Sequence, residues 1–192
     1  MINENKRQLW RVYIIALSTF ISGVIVGAVY YAYKYYNSPS ISSYFKNYIA
    51  TLKSGMSFSE VSITAAKSYL YIIVAIAVAA FFKVGIFISL AIFAKKGFVN
   101  AFTTAAMINS FGVKGLAMVV PMLPQMLIAV PTIAFTISLC RIYHHERNEL
   151  DNKSKIIYII FLLLCCTIFC ISAITEGFLT TTFMKWLAFK VT

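Results

Sequence analysis

Charge is scarce in this chain, and acidic charge scarcer still. Of 192 residues only 12% are charged, with six Asp and Glu against 17 Lys and Arg. A soluble domain averages about 25% charged and about 45–50% apolar residues, whereas 60% here are hydrophobic, which excludes an ordinary soluble domain. Histidine and cysteine are also few, at two and four. Cys140, Cys165, Cys166 and Cys170 lie in or beside apolar stretches without a CxxC or Cys/His zinc spacing, so they are expected to pack as small apolar residues. His144-His145-Glu146 lacks the HExxH spacing that sets two imidazoles on one helix face. G-x-S-x-G, paired carboxylates and a phosphate-binding loop are missing too. The expectation is a protein that is not an enzyme and has no catalytic residues, no cofactor and no metal site.

What the chain does have is apolar blocks of about 20 residues, each long enough to cross the hydrocarbon core as a helix. The predicted fold class is all-α: one polytopic membrane bundle over residues 1–192, with about five hydrophobic segments. No polar segment is long enough to fold as a separate soluble domain. The net charge of +11 comes from short basic groups between apolar spans, as the positive-inside rule expects of a cell-membrane protein. No folded basic module is visible, so the expected partner surface is membrane lipid and not nucleic acid.

In chain order, residues 1–11 form a basic cytoplasmic N-terminus and 12–33 an uncleaved anchor of roughly 33 Å at helical rise. Thr19, Gly23 and Gly27 repeat at four-residue spacing, and such a small-residue face lets helix backbones approach closely. It either packs within the chain or joins a second copy as a homodimer. Residues 38–66 read as an outer interfacial region: an amphipathic helix from Pro39, then a Ser57–Glu60 capping box. From 67 onward comes the helical core, starting with a span over Leu70–Ala94 that carries Lys83 inside the membrane. Lys95-Lys96 then marks a cytoplasmic end. A short piece over 98–110 follows, crossing or re-entrant, with Gly97, Ala101 and Ala105 as another small-residue stripe.

The most unusual stretch is Gly112–Tyr143, where Pro121, Pro124 and Pro131 interrupt an apolar run that also holds Gln125. In lipid a proline-broken helix is tolerated where neighbours or water satisfy the freed carbonyls. A charged cytoplasmic loop runs from Arg141 to Lys155. A last span covers 156–174, Glu176 stands at its boundary, and an aromatic interfacial tail closes the chain. Lys83, Gln125 and Glu176, with the three prolines, are the intramembrane candidates for a polar site.

The stretch from Phe82 onward resembles the stage II sporulation protein M family. The residues that carry the likeness are Gly85, Lys96-Gly97-Phe98, Phe111-Gly112, Lys114-Gly115-Leu116, Leu123-Pro124-Gln125 with Pro131, Glu176-Gly177-Phe178 and Phe183-Met184-Lys185. Residues 12–66 are similar to that family's anchor and outer segment. Met126 and Ala129 depart from it, since many relatives carry a small or amide residue and an acidic residue there. The resemblance implies a non-enzymatic scaffold of the sporulation engulfment complex. It would anchor the peptidoglycan-degrading stage II sporulation proteins D and P at the mother-cell septal membrane. A transporter or permease-associated subunit is the competing expectation, with Lys83 and Gln125 on a polar path.

Overall fold

The computed structural model describes residues 2–36, 38–41, 43, 44, 47, 58–82, 84–120, 122–146 and 152–190. Among these every regular element is a helix: α1 (Ile2–Lys34), α2 (Phe58–Ala79), α3 (Gly85–Phe111), α4 (Val113–Val119), α5 (Met122–Glu146) and α6 (Asn152–Lys190). All but α4 are long and apolar enough to cross a membrane, so the all-α bundle with five spans stands. The expected helix from Pro39 falls largely outside the described residues. So do Ser57 of the capping box, Lys83 and Pro121.

The spans divide the chain differently from the expectation. The run Leu70–Ala94 is not one helix. The first span ends at Ala79 and the next starts at Gly85. Between them the backbone closes short turns, from the amides of Phe81 to Val78 O, Phe82 to Ala79 O and Gly85 to Phe82 O at 3.0–3.2 Å. Gly85 is what this reversal requires, because a Cβ there would strike the Ala79 carbonyl. Two full spans result because α2 already starts at Phe58, within the region assigned to the interface. The second gains its length by running through Lys95-Lys96 to Phe111. Lys95 and Lys96 are therefore not a cytoplasmic end but the middle of a 27-residue helix. Residues 98–110 are the second half of that span and not a separate re-entrant piece.

Two further boundaries move. α6 continues to Lys190, so Glu176 lies inside a spanning stretch (Ile156–Thr182) and not at its edge. The proline-rich stretch is divided between α4, which ends at Val119, and α5, which starts at Met122. Pro124 sits in the first turn of α5, where a missing N–H costs no helical bond. Pro131 lies inside α5, which continues through it. α3 hands over to α4 at Gly112, whose φ of 58° is the left-handed conformation that glycine adopts without strain.

With no hydrophobic drive between helices in lipid, association rests on close packing and interhelical hydrogen bonds. The seam between α1 and α3 uses the first of these. Gly23 packs against the Ala94 carbonyl, Gly27 against that of Phe98, and Gly97 against that of Phe20. These glycines are thus occupied within the chain and do not present an open face to a second copy. Thr19 spends its hydroxyl on Ile15 O at 2.8 Å, and Ala101 and Ala105 are half-buried. At the Gly112 end, Asn109 donates to Tyr31 Oη at 3.0 Å and to the Tyr36 carbonyl at 2.6 Å, tying α3 to α1. The main core lies deeper, where Ala16, Ile73, Ile76, Phe93, Ile133 and Phe169 meet. Gly23→Val is expected to lower the unfolding free energy in detergent by roughly 1–3 kcal/mol through overpacking. Ala28→Val, one turn away on the exposed side of α1, should leave the unfolding midpoint unchanged.

Candidate functional site

A run of polar residues lies along one side of α3, while Lys95, next to it in sequence, is exposed. Lys96, Asn100 and Thr103 fall at i, i+4 and i+7, which is one helix face. All three line a chamber of about 110 Å³ enclosed by α2, α3, α5 and α6. A lysine near the middle of a spanning helix costs about 2.5–3.5 kcal/mol on insertion scales, so it must face protein or water. Here it faces both an aromatic ring and an acid. The Lys96 ammonium stands 5.1 Å from the centroid of the Tyr69 ring, a cation–π geometry. Glu176, from α6, lines the same chamber and attracts Lys96 electrostatically.

The other walls come from the broken helix. Gln125 lies in the first turn of α5 and is buried, with 7% of its surface exposed. Its side-chain amide donates to Tyr69 Oη. The same side chain lies beside the Glu176 carboxylate. Glu176 therefore sits by the α5 N-terminus, where the helix dipole favours negative charge. Tyr69 is held from below by stacking on Phe169, with centroids 5.5 Å apart and planes 22° from parallel. Gly177, directly after Glu176, lets α6 press on Ser62 and Phe58 of α2.

Of the residues singled out beforehand, Gln125 and Glu176 are brought together in this chamber. Gly23, Gly27 and Gly97 serve the α1–α3 seam instead. Pro131 belongs elsewhere, lining an apolar groove of about 410 Å³ with Trp10, Tyr13, Phe135, Leu164 and Ile168. Pro124 is exposed. Sequence reasoning missed Tyr69, Lys96, Asn100 and Thr103. The signal for the last three was their common face, hidden by placing a boundary at Lys96.

Chemically the chamber can hold opposite charges and hydrogen-bond partners in a low-dielectric surrounding. Its titratable lining groups are Lys96, Glu176 and Tyr69. Among the described residues no group of three His, Cys, Asp or Glu could hold a metal ion. The four cysteines are free, and Cys140 Sγ lies 3.1 Å from Tyr158 Oη in a separate contact.

Fold and site together define a polytopic all-α membrane protein with an intramembrane polar chamber at a broken helix. Compared with known protein families, curated proteins and solved structures, the chain matches none. In a double-mutant cycle, Tyr69→Phe and Gln125→Leu should each lower stability by about 1 kcal/mol, the size of interhelical hydrogen bonds in membranes. Their combined cost should fall short of the sum, as expected for two partners of one bond.

Proposed function

We propose that this protein is a non-enzymatic membrane scaffold that holds peptidoglycan-degrading partners at a bacterial membrane. In endospore formers this is the anchoring of stage II sporulation proteins D and P during engulfment, at the mother-cell septal membrane. The observation that carries the reading is spatial. Residues from three distant stretches bear the family likeness, and Lys96, Gln125 and Glu176 from those stretches meet at one chamber. Gly97, beside Lys96, shapes the α1–α3 seam from the opposite face of the same helix. The convergence of these stretches supports reading the likeness as belonging to one three-dimensional unit. A scaffold also suits the broad apolar faces of α1, α2 and α6, with Ile21, Ile25, Val74, Val78, Ile160 and Leu163 all exposed for lipid or partner helices.

Detergent-solubilised protein is expected to retain the two hydrolases on affinity purification. A clean deletion should arrest engulfment while the hydrolases stay active in solution. Normal engulfment in the deletion strain would remove this reading.

A second reading is favoured by the chamber itself. Charged lining near the middle of a span suits a transporter or permease-associated subunit. If this holds, solute flux in proteoliposomes should be lost in Lys96→Met. Liposomes inert to every candidate solute would count against it.

A further inference from the structure

Lys96 and Glu176 face one chamber, yet among the described residues no direct ion pair closes between them. Two opposite charges held apart in a protein interior lose hydration that their attraction offsets only in part. The chamber's 110 Å³ leaves room for several water molecules, which need polar partners on more than one side. Those partners are present: the Lys96 ammonium, the Glu176 carboxylate, the Asn100 amide and the Thr103 hydroxyl all line the space.

A second, independent observation is the backbone. One helix ends at Val119 and α5 starts at Met122, and the first turn of α5 borders the chamber through Met122 and Gln125. The opening amides of a helix lack an acceptor within their own helix, although that of Leu123 reaches Val120 O at 3.2 Å. The polar stripe on α3 also has a direction. From Lys96 it steps through Asn100 to Thr103, toward the Gly112 end where α4 stands in place of a full span.

From these observations we infer that the chamber is a water-filled vestibule reaching Lys96 from the Gly112 side, able to admit small polar solutes between Lys96 and Glu176. The inference goes beyond the scaffold reading, which needs no water inside the bundle. It can fail or hold without touching the partner assays above. Water in the vestibule explains how one helix can carry Lys96 at its centre. The ammonium keeps part of its hydration, the carboxylate shares the same waters, and the Tyr69 face covers the dry side.

Depth-matched cysteines test it in proteoliposomes, with Cys140, Cys165, Cys166 and Cys170 replaced by Ala. Asn100→Cys and Thr103→Cys point into the vestibule, whereas Val99→Cys, at the same depth, is on the exposed apolar side of α3. A small charged methanethiosulfonate reagent added on the Gly112 side should modify the two vestibule positions at least about tenfold faster than Val99→Cys, because only ionised thiols in water react well. Equal rates at all three positions, or slow rates at all three, would overturn the vestibule. Should a cysteine variant not fold, hydrogen exchange on the unsubstituted chain in lipid nanodiscs decides. Amides of Met122 and Gln125 should exchange well before those of Ile133–Ile137, and full protection of both segments would refute hydration.

Discussion

A cation in the middle of a membrane-spanning helix is the constraint on which this architecture depends. Lys96 lies near the middle of α3, where a lysine in hydrocarbon costs about 2.5–3.5 kcal/mol on insertion scales. The bundle therefore has to supply an acid, an aromatic face and space around one ammonium group. Each comes from a different helix: Glu176 from α6, Tyr69 from α2, and the open first turn of α5 with Gln125. The start of α5 at Met122 brings Gln125 to this centre.

The neighbouring residue shows how closely function and packing share one helix. Gly97 turns toward α1, where absent side chains allow backbone carbonyls to touch the facing helix, while Lys96 turns into the chamber. The α1–α3 seam is made of close contacts, with Asn109 hydrogen-bonded to Tyr31 at one end. The opposite face of α3 is polar and partly open. Replacing the seam glycines would push α3 toward the chamber, so stability of the seam and geometry of the polar site are mechanically linked through one rigid element.

Much of the fold was legible in the residues. Apolar runs of spanning length announced a helical membrane bundle, the Gly23/Gly27 spacing announced a close helix seam, and Gln125 and Glu176 stood out as polar groups within or beside apolar stretches. The division between the spans ending at Ala79 and starting at Gly85 was not legible, although Gly85 was a local signal. A pair of lysines ordinarily marks the end of a span, and that rule placed the boundary at Lys95-Lys96. It failed because the cost of burying Lys96 is offset by groups that lie far off in sequence, beyond the reach of any local window. Tyr69 was missed for the same reason. Its partner Gln125 is 56 residues away, and nothing around Tyr69 distinguishes it from an interfacial tyrosine.

Composition and periodicity were enough for the class of protein, since hydrocarbon thickness and backbone hydrogen bonding leave a long apolar run few options besides a helix. They were also enough for the small-residue face of α1, because its spacing is a property of one helix. Which face meets which helix, where the second and third spans divide, and that Lys96, Tyr69, Gln125 and Glu176 share one chamber came from the folded bundle. Those outcomes depend on pairing groups from four separate helices, and the free energy of a buried charge is set by such neighbours and not by its own segment.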